Sequence, residues 1–215
     1  MTDSSPTVVF LHGLARTSRS LRALRDAVNK AGFKTYALSY PSRTMSIPDL
    51  ASHVAGRIRE ATDDGPLLGV THSLGGILVR HMATSLNWQG LVMLAPPNNG
   101  SSVAVRIRNN LLFRGFYGPA GGEVAVATGW PDPPSPFVVI AGTQNFALSN
   151  PTSWMTRAFG MFPDGVPNDG TLSVTETKHS GMQGFRTVEA SHTWIMNHPQ
   201  TKRLTLKFLR DGTLG

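Results

Sequence analysis

The stretch LLGVTHSLGG at residues 67–76 decides the fold that we predict for this chain. Leu67–Val70 is a short apolar run typical of a buried strand, and the residues from Gly75 to Leu86 follow a helical pattern. Ser73 is therefore predicted on a sharp strand-to-helix turn, where backbone N–H groups point at developing negative charge. The glycines that follow keep strand and helix backbones close together. Ser73 is a candidate nucleophile, and the alternative is an ordinary turn that opens a helix.

Strand and helix patterns alternate on both sides of this turn. The other predicted strands are Thr7–Leu11, Lys34–Tyr40, Leu91–Leu94, Phe137–Ala141 and Phe185–Val188. The other predicted helices are Leu21–Ala31, Ile47–Ala61 and a last one that includes Leu204–Leu209. Near-continuous apolar strands between helices are typical of strands buried on both faces. The pattern predicts an α/β fold with a mostly parallel central sheet of about six strands and helices on both faces.

Length and composition favour one domain over residues 1–215. The chain has 215 residues, of which 40% are hydrophobic and 15% charged, so a sizeable core is expected and disorder is not. The segments 98–136 and 145–168 are rich in Pro and Gly and longer than ordinary connections. We expect them to form short covering segments with a functional role.

Several classes of site and partner are disfavoured by the composition. The chain has no cysteine, which excludes disulfides, thiolate zinc sites and a cysteine nucleophile. No histidine pair has the spacing of a helical zinc site, and no cofactor motif is visible, so we expect neither metal nor cofactor. The net charge is +7, but the basic residues are spread along the chain, which favours a solvated surface over a nucleic-acid partner.

The location of the protein is predicted from what the sequence lacks. Its first residues do not resemble a signal peptide, and its apolar runs are too short to span a bilayer. We therefore expect a cytoplasmic protein without stable membrane insertion. The sequence does not indicate the oligomeric state.

A serine nucleophile needs a histidine to take its proton and a carboxylate to orient that histidine. His72 belongs to the turn itself, and His53 and His81 lie in predicted helices. Three candidate bases remain, namely His179, His192 and His198. The candidate acids that lie between Ser73 and His192 are Glu123, Asp132, Asp164, Asp169, Glu176 and Glu189.

Five motifs together make the chain resemble bacterial α/β-hydrolase esterases and lipases, particularly small lipases with little or no cap. They are HGL at 12–14, the turn at 71–76, PPNNGS at 96–101, NDG at 168–170 and SH at 191–192. The resemblance covers nearly the whole chain and implies the α/β-hydrolase fold. Thr71 departs from the family pattern, because the usual G-x-S-x-G motif has glycine at this position.

The resemblance also implies roles for individual residues. The family order of nucleophile, acid and base gives His192 as the base, with His179 and His198 as alternatives. It gives Asp169 as the acid, with Asp164 as the runner-up.

The resemblance further implies an oxyanion hole formed by the backbone N–H groups of Leu14 and Leu74, with His12 bracing the loop. Phe116, Met155 and Trp194 are candidate pocket residues, and packing against the sheet is their alternative role.

The predicted function is that of a serine carboxylic-ester hydrolase, an esterase or lipase, acting through an acyl-enzyme on Ser73. The expected substrate is a small-molecule or lipid ester. Two alternatives remain open: an acyltransferase with the same triad, and a non-catalytic ligand-binding protein on the hydrolase fold.

Overall fold

A computed structural model describes residues 5–107, 109–110, 118–125, 129–148 and 150–215, with the backbone alone at 151 and 152. Its strands are β1 (Thr7–Leu11), β2 (Thr35–Ala37), β3 (Leu67–His72), β4 (Trp88–Leu94), β5 (Phe137–Gly142) and β6 (Gly184–Val188). They form one sheet in the order β2-β1-β3-β4-β5-β6, and every neighbouring pair is parallel. The predicted parallel sheet of six strands is confirmed.

The described helices cover both faces of this sheet. They are α1 (Arg22–Lys30), α2 (Ile47–Thr62), α3 (Leu74–His81), α4 (Ser102–Ile107), α5 (Pro151–Ala158), α6 (Val174–Thr177) and α7 (Pro199–Asp211). Short 3-10 helices span Ser18–Leu21 and Ile195–Asn197, and residues 118–123 are also helical.

Each face of the sheet has its own apolar core. Side chains alternate along β1, so Val9 packs in the cluster that includes α2 and α3, while Val8 packs in the cluster that includes α1 and α7. All residues of β3 and β5 are buried, which explains why these strands read as unbroken apolar runs.

Two predicted elements are markedly shorter in the structure. The helix after Ser73 ends at His81 rather than Leu86, because residues 82–85 form successive tight turns. The strand predicted over Lys34–Tyr40 keeps only Thr35–Ala37 in the sheet. Beyond Ala37 the chain leaves β1, and the N–H of Tyr40 donates to the His12 imidazole at 3.2 Å instead of to a strand.

Candidate active site

The three residues predicted to carry the chemistry follow three different strands at one edge of the sheet. Ser73 comes directly after β3, Asp169 lies in the connection after β5, and His192 follows β6. Because the strands are parallel, their carboxyl ends meet at the same edge. The topology therefore brings together residues that are far apart in the sequence.

Ser73 occupies a strained turn. Its φ of 52° and ψ of −121° lie in a region that residues other than glycine rarely adopt. Its N–H donates to the carbonyl of Leu94 on β4 at 2.9 Å, which ties the turn to the neighbouring strand. A Cβ at Gly75 would lie 2.5 Å from the carbonyl oxygen of Leu11, so only glycine lets α3 start this close to β1. The bond to β4 and the close approach of α3 to β1 together hold Ser73 in this conformation.

Ser73, His192 and Asp169 form one continuous chain of hydrogen bonds. The Oγ of Ser73 lies 3.1 Å from Nε2 of His192, and Nδ1 of His192 lies 2.7 Å from Oδ2 of Asp169. A carboxylate accepts at Nδ1, so the proton of the neutral imidazole resides there. Nε2 is then free to accept from the serine hydroxyl, as a base must.

Asp169 is held by its own loop. Its side chain is 1% exposed, and Oδ1 accepts from the N–H groups of Thr171 at 3.0 Å and Leu172 at 2.8 Å. The carbonyl of Asp169 also accepts from the N–H of His192 at 2.9 Å. These bonds satisfy a buried charge and join the loop that carries Asp169 to the loop that carries His192.

The alternative acid and bases lie elsewhere. His179 contacts Asp132 at 3.4 Å, and the side chain of His198 accepts from the N–H of Gln200 at the start of α7. Asp164 is exposed. In the described part of the chain, these residues make no hydrogen bond with Ser73, Asp169 or His192.

The two predicted oxyanion donors lie beside the serine. Leu14 and Leu74 line the same cavity as Ser73, and neither N–H has an acceptor among the described residues. A Cβ at Gly13 would lie 2.8 Å from Nδ1 of His72 and 3.2 Å from Cβ of Ser73. Glycine at this position therefore lets the loop after β1 approach the serine.

The cavity above Ser73 has a volume of about 700 Å³. Its lining is mostly apolar and includes Leu14, Val103, Ala104, Ile107, Val124, Met155 and Leu172. Met155, one of the candidate pocket residues, is in this lining. The structure does not place Trp194 in this lining, and the residue is 46% exposed. Phe116 lies outside the described residues.

The comparisons with known proteins agree with this architecture. The model of the alpha/beta hydrolase family matches residues 8–194. The chain belongs to the alpha/beta hydrolase family. None of the curated proteins matches it in sequence.

Several solved structures share the fold of this alpha/beta hydrolase at low identity. The mature lipase BlEst2 of Bacillus licheniformis is 17% identical, with a TM-score of 0.77 over 96% of this chain and 93% of that chain. The phospholipase PlaB of Legionella pneumophila is 17% identical, with a TM-score of 0.69 over 97% and 60% of the two chains. A thermophilic esterase of Thermogutta terrifontis is 16% identical, with a TM-score of 0.57 over 96% and 90%.

His72 supports the loop of His192 through a contact that the sequence analysis missed. Its Nε2–H donates to the carbonyl of His192 at 3.0 Å, and the two rings lie 4.9 Å apart. Burial, with a contribution from the charge of His192, holds the pKa of His72 well below its usual range. Because His72 directly precedes Ser73 in the turn, it was not a candidate base. The same position puts its side chain within hydrogen-bond distance of the loop after β6.

The turn at 96–101 braces the segment that follows Asp169. Nδ2 of Asn98 donates to the carbonyl of Thr177 at 3.0 Å, and Nδ2 of Asn99 donates to that of Lys178 at 2.9 Å. A carboxylate oxygen of Glu176 accepts from the N–H of Ser102 at 2.5 Å. The segments after β4 and after Asp169 are thereby joined next to the cavity.

His12 braces the loop after β1, as predicted. Nε2 accepts from the N–H of Tyr40, so Nδ1 carries the proton and donates to the carbonyl of Gly13 at 2.8 Å. The hydroxyl of Tyr40 donates to the carbonyl of His12, and the two rings stack 3.8 Å apart. Burial lowers the pKa of His12 from 6.5 to about 4.

We expect these two buried histidines to make the protein less stable in acid. Between about pH 6.5 and 4 the unfolded chain binds a proton at position 12 that the folded protein does not bind. Lowering the pH through this window therefore favours unfolding, by up to about 1.4 kcal/mol per pH unit and about 3 kcal/mol in all from His12. His72 adds to the loss in the same direction.

Urea unfolding at pH 7.5, 6 and 5 measures this effect. The free energy of unfolding should fall less steeply with pH in His12→Asn than in the wild type. His53, exposed on α2, provides the matched control, since His53→Asn should keep the wild-type slope. Equal slopes in wild type and His12→Asn would contradict the assignment.

The described residues contain no group of three His, Cys, Asp or Glu side chains that could hold a metal ion. Nor does any described helix combine the length and the apolar character that a bilayer span requires.

Proposed function

We propose that this protein is a serine hydrolase that cleaves carboxylic esters through an acyl-enzyme on Ser73. The observation that carries the proposal is the chain of hydrogen bonds from Ser73 through His192 to Asp169. Ser73 also lines the mostly apolar cavity, where a substrate can reach it. The same three residue types recur in this geometry in hydrolases of unrelated folds.

The proposed reaction begins when Oγ of Ser73 attacks the carbonyl carbon of the ester. Its proton passes to Nε2 of His192, and the resulting imidazolium is stabilised by Asp169. The N–H groups of Leu14 and Leu74 donate to the oxyanion of the tetrahedral intermediate. When the intermediate collapses, the C–O bond to the alcohol breaks and His192 returns the proton to the leaving oxygen. Water then repeats the sequence on the acyl-enzyme and releases the acid.

The proposed substrates are small-molecule or lipid esters with an apolar acyl chain. Leu14, Val124 and Met155 offer apolar contacts to such a chain within the cavity. Solved structures that share this fold include a lipase, a phospholipase and an esterase, and this supports ester chemistry as the proposed reaction.

The proposal is tested by hydrolysis of the p-nitrophenyl esters of acetate, butyrate, octanoate and palmitate. We expect cleavage, with kcat/KM rising from acetate to octanoate by up to about fourfold for each methylene that the cavity buries, from about 0.8 kcal/mol per methylene. Product analysis with added alcohol distinguishes hydrolysis from acyl transfer. A folded protein that cleaves none of the four esters would contradict the proposal.

A further inference from the structure

Arg16 brings a positive charge into the mostly apolar cavity above Ser73. Its side chain is half-buried and lines the cavity together with Ser73 and His192. Among the described lining residues it is the only lysine or arginine, and none is an aspartate or glutamate. A cationic group in such a place is available to a ligand that enters the cavity.

The position of Arg16 is built into the loop after β1. Ala15 has a φ of 55°, in the left-handed region, and its N–H donates to Oγ of the buried Ser42 at 3.0 Å. The N–H of Arg16 donates back to the carbonyl of Gly13 at 3.3 Å, which closes a tight turn. Strain at a residue other than glycine persists only where the surroundings enforce it. The turn that presents the N–H of Leu14 thus also presents Arg16.

The guanidinium has no counter-charge in the described part of the chain. The chain has 13 acidic residues, all of them described except Asp3, and none of the described ones forms an ion pair with Arg16. Burial lowers the pKa of Arg16, and its charge helps to lower the pKa values of His12 and His72. Arg16 and His72 line the same cavity, next to the serine turn. A partly desolvated cation without a partner is costly to retain, and an anion would offset that cost.

We propose that Arg16 binds an oxyanion, a phosphate or a carboxylate, carried by the ester substrate near its scissile bond. This inference rests on the proposed function and narrows it to anionic amphiphilic esters. The planar guanidinium binds two oxygens of such a group in parallel, while the apolar lining holds the acyl chain. A phospholipid and a soluble phosphorylated or carboxylated ester share this chemistry.

The first test is calorimetric binding of 1-O-butylglycerol 3-phosphate, an ether that cannot be hydrolysed, against 1-O-butylglycerol. The wild type should bind the phosphate compound about 10- to 100-fold more tightly, as expected for a charged hydrogen-bonded pair. Arg16→Gln should remove this ratio and Arg16→Lys should restore part of it. Arg19→Gln is the matched control, because Arg19 is exposed three residues away and outside the cavity lining. Equal affinity for the two ethers, or a ratio unchanged in Arg16→Gln, overturns the inference.

The second test compares kcat/KM for matched esters. One pair is 1-butyrylglycerol 3-phosphate and 1-butyrylglycerol, and the other is mono-p-nitrophenyl glutarate and p-nitrophenyl valerate. A preference for the anionic member of either pair that is lost in Arg16→Gln supports the inference. A preference in the first pair places the anion on the alcohol part of the ester, and one in the second pair places it on the acyl part. Comparing the hydrolysis rates of phospholipid vesicles and of 1-butyrylglycerol 3-phosphate shows whether the substrate is a membrane lipid or a soluble ester. Cleavage of neutral esters without any preference dependent on Arg16 overturns the inference while leaving the proposed function intact.

Discussion

Replacing Ser73 with alanine is expected to lower kcat for ester hydrolysis by roughly 10⁵- to 10⁶-fold, as removal of the nucleophile does in serine hydrolases with this geometry. The residual rate would come from the oxyanion donors and substrate binding alone. Alanine at position 73 experiences the same strained φ of 52° as serine, so the folded state should persist and the loss should be chemical. The measurement is the initial rate on p-nitrophenyl octanoate together with the thermal midpoint.

Labelling with a fluorophosphonate gives an independent readout of the same residue. The wild type should gain one covalent adduct that maps to Ser73 by mass spectrometry, and Ser73→Ala should gain none. Ser52→Ala serves as the control, since Ser52 is exposed on α2 and its hydroxyl contacts the carbonyl of Pro48. An adduct on another serine, or near-wild-type turnover in Ser73→Ala, would be incompatible with the proposed nucleophile.

Replacing Asp169 with asparagine is expected to lower kcat by about 10⁴-fold while KM changes little. The amide oxygen can keep the bonds from Thr171 and Leu172, which leaves the NH₂ group facing Nδ1 of His192. Nδ1 must then accept, so the imidazole proton moves to Nε2. A protonated Nε2 cannot take the proton of Ser73, and the base is lost although the shape of the site is kept.

The control for this variant is Asp164→Asn, which alters an exposed carboxylate in the same segment. It should retain wild-type kcat. Unfolding in urea should show that Asp169→Asn is still folded at the assay temperature. If Asp169→Asn turned over at a rate close to that of the wild type, another group would have to orient His192.

The motifs were more informative about the reactive residues than about the groups that support them. The strand-to-helix turn with two glycines singled out Ser73, because such a turn needs small residues wherever two backbones nearly touch. His192 and Asp169 required the resemblance, since a histidine or an Asp-Gly turn taken alone is common. All three side chains lie in hydrogen-bond contact in the structure.

The supporting contacts could not be predicted, because they join loops from different strands. His72 meets the carbonyl of His192 across 120 positions, and Asn98 meets Thr177 across 79. Arg16 looked like one of many scattered basic residues until the turn at Ala15 placed it in the cavity. Trp194 follows His192 by two positions, yet His192 lines the cavity and Trp194 does not.

The sequence by itself determined the alternation of strands and helices, the parallel sheet and the identity of the residues at its carboxyl edge. Those features follow from apolar periodicity and local turn chemistry, which act over a few residues. Only the tertiary structure decided which histidine contacts the serine, which carboxylate contacts that histidine, and which cation shares their cavity. These outcomes depend on strand order and on how long loops fold back over the sheet, and contacts between distant segments leave no local pattern in the chain.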